Sequence, residues 1–253
     1  MTVSKFNQYV KRVIKLPEGV DPKKVTTGIV YNKDGTFSHV PTKVFVKDGI
    51  YYAEINSLTN SSYSAIWNPI TVESVNNHWS KEAVNDMASR LVIKNSKTFL
   101  PDQAITRGEF AEYIVRALGI YRTGYTGTQK FSDVEMKDDI ANAVHIASEY
   151  GIISGYPDGT FKPSAQISRE EAMVMYSRAM DIVRLEEINN DKITSFVDMH
   201  MISAWAYNDV KRTLSTGIFN GKTKETINPK DTFTCAEAVT AIRSLLVASE
   251  LIN

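Results

Sequence analysis

Two arginines stand near the head of repeated hexapeptides, Arg107 in "ITRGEF" and Arg169 in "ISREEA". A third segment, "FTCAEA", has the same layout with Cys235 in the arginine's place. Each segment opens on an apolar residue (Ile105, Ile167, Phe233), continues with Ser or Thr, and sets a Glu three positions after that hydroxyl. This spacing is the capping-box pattern, so Thr106 with Glu109, Ser168 with Glu171 and Thr234 with Glu237 are expected to close helix starts. The arginine then takes the first helical position, where free N–H groups and the macrodipole concentrate about half a positive charge. A cation is mildly unfavourable there, so helix propensity does not account for it. Two readings stay open. The guanidinium and the free amides together suit an anion, best a planar carboxylate gripped by two hydrogen bonds. Alternatively, each arginine pairs with an acidic side chain of an adjacent unit. The cap itself does not need the arginine, so on the first reading Arg→Ala removes binding at unchanged helix content.

Other chemistry finds little footing. The four histidines, His39, His78, His145 and His200, lack HExxH or any other metal spacing, and no GxSxG elbow occurs. Cys235 at a helix start could have a lowered pKa. It has no evident histidine partner and reads as a small, semi-buried residue at a degenerate site. Glycoside cleavage needs two carboxylates flanking the bond, and Glu109, Glu171 and Glu237 are committed to capping. "DGTF" occurs twice without the alternating acidic ligands of a calcium loop, so both copies are turns. No catalytic residue, metal or cofactor is assigned, and a non-enzyme is expected.

The elements that carry the motifs repeat with them. The motif arginines and Cys235 are spaced 62 and 66 residues apart. Upstream of the motifs lie "HWSKEAVNDMASRLVIKN", "DDIANAVHIASEYGIISG" and "AWAYNDVKRTLSTGIFNG", each with apolar residues at the spacing of an amphipathic helix. The second and third stop at Gly151 and Gly217, suited to a left-handed C′ position. Leu91 holds that place in the first, so a differently built helix end is expected there. A loop follows, with Phe99, Phe161 or Ile227 two residues before Pro101, Pro163 or Pro229, which predicts a short extended crossing. Each unit is thus helix, loop, helix, and three such units need one another to bury their apolar faces. Trp79 and Trp205 fall at matching places, twelve residues before Leu91 and Gly217, where the second repeat has Asp139. They read either as core or as flat walls for a sugar ring.

Before Pro69 the pattern differs. Short alternating β-branched and aromatic runs, split at Asp34-Gly35 and Asp48-Gly49, predict a small antiparallel meander, marginal alone or the end of a larger domain. The expected architecture is mainly α, with units at 1–69, 70–129, 130–193 and 194–253. The chain has 253 residues, with Lys plus Arg equal to Asp plus Glu at 29 each. It lacks the basic field that nucleic acid or an anionic membrane would need. No run approaches 18 apolar residues, and "MTVSKFNQYVKRV" lacks a signal peptide's apolar core. The single cysteine excludes an internal disulfide. A cytosolic protein and a fragment of a secreted one both fit these ends, and attachment to a surface would be non-covalent.

"GIISGYPDGTFKPSAQISREEA" in the second repeat, with "HW", "F-x-P" and "ITRGEF" in the first and "AW", "GIFNG", "INP" and "AEA" in the third, resembles the S-layer homology family over about residues 72–250. The β unit resembles segments upstream of such repeats in some Gram-positive surface proteins. The resemblance implies three tandem repeats forming a pseudo-threefold trimer within one chain, with ligand grooves between repeats. It implies an extracellular place at the cell wall or surface layer and non-covalent binding of secondary cell-wall polysaccharide on peptidoglycan. The recognised group is commonly a pyruvylated N-acetylmannosamine, whose ketal carboxylate falls to Arg107 and Arg169. Ser154, Gly155 and Tyr156 match the family loop and are expected to line a groove, with Trp79 and Trp205 as stacking partners. Cys235 cannot replace an arginine, so a weak or silent groove is expected in the third repeat, and Asp139 puts the stacking role in doubt in the second. A protein-binding helical-repeat module is the competing reading, but it gives no reason for the arginines or the Gly-Tyr-Pro-Asp-Gly loop.

Overall fold

The computed structural model describes residues 5–32, 34–125, 127–135, 139–187 and 196–253. The expected boundary at 193/194 lies outside the described residues. The N-terminal part holds β1 (Lys5–Lys15), β2 (Thr27–Tyr31), β3 (Phe37–Val40), β4 (Thr42–Lys47), β5 (Ile50–Thr59) and β6 (Tyr63–Ile66). They form two antiparallel sheets, β1-β5-β4 and β3-β2-β6. At the β4–β5 turn Asp48 and Gly49 take φ of 52° and 75°, the two left-handed positions of a tight hairpin, and Lys47 pairs with Ile50. The expected meander is corrected at Pro41. Having no N–H, Pro41 interrupts the ladder, so β3 and β4, adjacent in sequence, lie in different sheets. Its carbonyl accepts from Asn56 N at 2.8 Å, and Val30, Val40 and Ile55 fill a small core of their own.

Three helix pairs follow: α1 (Lys81–Ser89) with α2 (Arg107–Ala117), α3 (Asp139–Glu149) with α4 (Arg169–Val183), and α5 (Tyr207–Ser215) with α6 (Cys235–Ala248). With six helices and six strands among the described residues, the fold is mixed α and β rather than mainly α. No helix of the described residues is long and apolar enough to cross a membrane.

The repeats close on one another through the residue that opens each motif. Ile105 N donates to Phe233 O (2.9 Å), Phe233 N to Ile167 O (3.0 Å), and Ile167 N to Ile105 O (3.1 Å), completing a triangle. All three side chains are buried at its centre, and Phe110 meets Phe233 edge-on at 5.6 Å. The pairing continues outward as antiparallel bridges between Ala104 and Thr234, Thr106 and Gln166, and Ser168 and Thr232.

Two local expectations are overturned. Leu91 takes φ 64°, like Gly151 (72°) and Gly217 (69°), so the first helix ends as the others do. Val92 N reaches Met87 O at 2.9 Å, just as Ile152 N reaches Ala147 O. Satisfying these carbonyls outweighs a left-handed strain of about 1–2 kcal/mol. Secondly, Lys162 and Asn228, each preceding a proline, have φ of 57° and 54° and are not extended. The cause is an aspartate from the preceding segment. Asp133 accepts Phe161 N (2.8 Å) and Lys162 N (2.7 Å); Asp198 accepts Ile227 N (2.9 Å) and Asn228 N (2.7 Å).

The β unit is fastened to the helices. Tyr9 Oη donates to Leu118 O (2.8 Å), Asn253 clasps Val44 N and O (2.6 and 2.9 Å), and His39 Nε2 donates to Ala117 O (3.2 Å). His39 Nδ1 then accepts from Thr27 Oγ1 at 2.7 Å. Burial, reinforced by the charge of Arg90, pushes the imidazole from 6.5 down to about 3.

Asp198→Ala is expected to lower unfolding stability by about 2 kcal/mol in urea titration, because two loop amides lose a buried charged acceptor. The His39 pair predicts a pH dependence. Above 6.5 the full stability is present; between 6.5 and 3 the unfolded chain takes a proton that the folded chain refuses. Stability should fall with a slope approaching about 1.4 kcal/mol per pH unit, and His39→Gln should flatten it.

Candidate functional site

The motif helices start inside a neighbour's loop. Arg107 N and Gly108 N donate to Ala165 O and Pro163 O (2.8 and 2.9 Å), Arg169 N and Glu170 N to Asp231 O and Pro229 O (both 2.9 Å), and Cys235 N and Ala236 N to Gln103 O and Pro101 O (both 2.9 Å). The amides expected to await an anion are therefore already paired. The third amide goes to the cap. Thr106, Ser168 and Thr234 each accept from the Glu three residues on, and Glu109, Glu171 and Glu237 accept the cap residue's N–H through Oε2 at 2.9 Å.

Capping leaves Oε1 of each glutamate free, and two of these oxygens meet the arginine of the preceding repeat. Arg107 Nη1 lies 2.8 Å from Glu171 Oε1, and Arg169 Nη1 lies 2.9 Å from Glu237 Oε1. Each Nε also donates to a loop carbonyl of that neighbour, Phe161 O at 3.0 Å and Ile227 O at 2.8 Å. Both arginines are buried, 6% and 3% exposed. Of the two readings left open by spacing, the acidic partner on the adjacent unit is what the geometry contains. Each arginine side chain thus ties its own repeat to the next.

Arg169 nevertheless faces an open cavity of about 390 Å³. Its walls include Asn220 and Lys222 from the third repeat's loop, Glu237, and, from the first repeat, Asp102 and Trp79. Lys222 Nζ meets the same Glu237 oxygen at 2.8 Å, so two cations share one carboxylate. Burial drives the Glu237 carboxyl upward. Hydrogen bonds from Lys222 and Thr234 N and the charge of Arg169 outweigh that, holding it below its ordinary value. Burial works against the charge of Arg169, with Glu237 its main support. Trp79 and Trp205, read as either core or wall, are 64% and 61% exposed.

Beside Arg107, Tyr156 occupies the place of Lys222. Its Oη donates to Glu171 Oε1 at 3.0 Å, and its ring lies 4.7 Å from the Arg107 guanidinium carbon. Ser154, Gly155 and Tyr156 line a separate cavity of about 430 Å³ that Arg107 does not reach. Ser154 Oγ accepts from Arg178 (3.1 Å). A side chain at Gly155 would put Cβ within 2.6 Å of the Phe131 ring and of Thr160 O, so this position needs glycine for close approach.

Cys235 belongs to the groove built on the first repeat's Glu109, not on its own repeat. Burial and the charge of Glu109 push its thiol up to about 11, opposite to the depression a helix start could give. Glu109 thus lacks the guanidinium that its two counterparts have. Position 139 of the second repeat lines a different cavity, of about 490 Å³, with Lys94, Arg116 and Tyr121. There Asp139 is bound by Lys94, Tyr121 Oη (2.8 Å) and Arg116 (3.4 Å) in place of an exposed Trp. The cavity at Glu109, about 410 Å³, is also lined by Asp133 and Glu135, with no cation among its described lining residues. Among the described residues no group of three or more His, Cys, Asp or Glu could hold a metal ion.

Lys222, Asp133 and Asp198 escaped the sequence reading. The aspartates had a signal in "FSD" and "FVD", and Lys222 stands where the aligned loop has Tyr156. Arg169→Ala should cost roughly 3 kcal/mol in chemical unfolding because it empties a buried position and removes its bonds to Glu237 and the neighbouring loop carbonyls, whereas Arg169→Met, which keeps the packing, should cost less.

A family model described as the S-layer homology domain matches residues 75–111, 130–173 and 195–239. The chain is 31% identical over 243 residues to an amylopullulanase of Thermoanaerobacterium thermosulfurigenes, covering 95% of this chain and 13% of that protein. It is 33% identical to an exoglucanase of Acetivibrio thermocellus, covering 76% and 18% of the two chains. A cellulosome-anchoring protein of the same organism is 26% identical over 70% of this chain and 42% of its own. The chain therefore spans less than half of each of these relatives. With its three matched segments laid out as the three helix pairs of one closed ring, the chain belongs to the S-layer homology family.

Proposed function

We propose that this chain anchors its parent protein to the outside of the cell, at the wall or surface layer. It does so by non-covalent binding of a pyruvylated secondary cell-wall polysaccharide. The supporting observation is the Arg169 groove, where Lys222 and Arg169 converge on one glutamate oxygen beside an exposed Trp79 across an open cavity. Two cations share one glutamate oxygen there, and Lys222, the more exposed of them, can turn to an incoming ketal carboxylate. Trp79 offers a sugar face a flat apolar wall. Arg107 with Tyr156 and Trp205 supplies a second groove, and the Cys235 groove, lacking both guanidinium and Trp, is silent toward this ligand. Arg107 and Arg169 serve the grooves by fixing the loops that shape them. The relatives that are enzymes match over a small part of their length, so chemistry in such parents belongs to other domains.

Purified peptidoglycan sacculi carrying the polysaccharide should pull the chain down, and acid extraction of the polysaccharide should abolish it. Lys222→Ala and Trp79→Ala should each weaken binding at least tenfold with an unchanged unfolding midpoint, and calorimetry with a pyruvylated fragment should give no more than two sites. Undiminished capture by extracted sacculi would sink this reading and favour a protein partner.

A further inference from the structure

Trp79 and Asp102, two walls of the Arg169 groove, are joined by a histidine that the anchoring mechanism does not use. His78 precedes Trp79, and its ring lies 5.2 Å from the indole, tilted by 38°. Ser80 N–H donates to His78 Nδ1 at 3.2 Å, so the neutral imidazole carries its proton on Nε2, which meets Asp102 Oδ1 at 3.2 Å. Ser80 Oγ stands 2.7 Å from Nδ1, and Ser80, the N-cap of α1, makes no side-chain bond to its own helix. The hydroxyl is therefore placed to accept a hydrogen bond from Nδ1 once that nitrogen is protonated.

Among the described residues Asp102, from the loop before α2, is the ionic partner of His78. On the side of its own segment the ring meets Ser80 and Trp79. Across the cavity lie Arg169, Lys222 and Glu237. Asp102 is 85% exposed, so its charge is presented to solvent at the cavity wall. With His78 neutral, that charge repels an incoming carboxylate. With His78 protonated, the contact becomes an ion pair and the charge is cancelled. Imidazole is the side chain whose charge changes between about pH 5 and about pH 8.

We infer that His78 is a positioning residue of the Arg169 groove, whose protonation makes the groove hold its carboxylate ligand more tightly as pH falls. This rests on the anchoring reading above. Ala204 stands before Trp205 where His78 stands before Trp79, so the second proposed groove has no such imidazole. Water screening limits one unit charge several ångströms away to an effect of about threefold in affinity, and raised salt reduces it further.

Calorimetry with a pyruvylated fragment from about pH 8 to about pH 5 tests this, in a Trp205→Ala background that leaves the Arg169 groove to be read alone. Affinity should rise about threefold on acidification. His78→Gln, whose amide keeps a bond to Asp102 without taking a proton, should hold the alkaline value throughout. Asp102→Asn should hold the acidic value throughout, whereas loss of a purely structural contact would weaken binding equally at every pH. Without ligand, the Trp79 indole N–H resonance, identified by its absence in Trp79→Ala, should shift over the same range and stay still in His78→Gln. A flat profile in a chain that binds, or a pH-dependent profile that survives His78→Gln, overturns this inference alone. Absence of binding at every pH overturns it together with the anchoring reading.

Discussion

Three main-chain hydrogen bonds, passed from Ile105 to Phe233 to Ile167 and back, hold this molecule in one arrangement. Each is an ordinary amide–carbonyl contact, but the triangle closes only if all three repeats are present in the right order around one axis. It forces each motif helix to begin within the loop of a neighbour, so its first amides bond outside its own repeat. No repeat can therefore complete its helix starts or bury its opening apolar residue by itself.

From that constraint follows the double use of the motif glutamates. One carboxylate oxygen ties the helix start while the other, turned to the seam, receives a guanidinium from the preceding repeat. Capping and inter-repeat attachment are one network. The same arrangement makes the departures in the three copies intelligible. Cys235 faces Glu109, which therefore lacks the guanidinium that Glu171 and Glu237 receive. Asp139, where the other repeats have the exposed Trp79 and Trp205, is absorbed into contacts with Lys94, Arg116 and Tyr121.

The β unit belongs to this economy of shared contacts. A pair of three-stranded sheets this small has little core of its own, chiefly Val30, Val40 and Ile55. Its polar clasps at His39, Tyr9 and Val44 draw on the ends of α2 and on the last residue of the chain. Packing the sheets there generates a titratable joint at His39.

How much of this was legible in the residues alone follows the range of the interactions. The threefold repeat, the helix starts at Thr106, Ser168 and Thr234, the turns at Asp48-Gly49 and the motif arginines were all readable, because capping and turn chemistry act within about four residues. The end of α1 misled, since Leu91 accepts a strain that tertiary and capping contacts outweigh. So did the residues before Pro163 and Pro229, whose conformation is set by aspartates 28 to 30 residues upstream. The partner of each arginine was decided only when the ring closed. Spacing reveals which residue types recur, but which oxygen a guanidinium meets depends on where another repeat's backbone lies, and that position exists only in the assembled core.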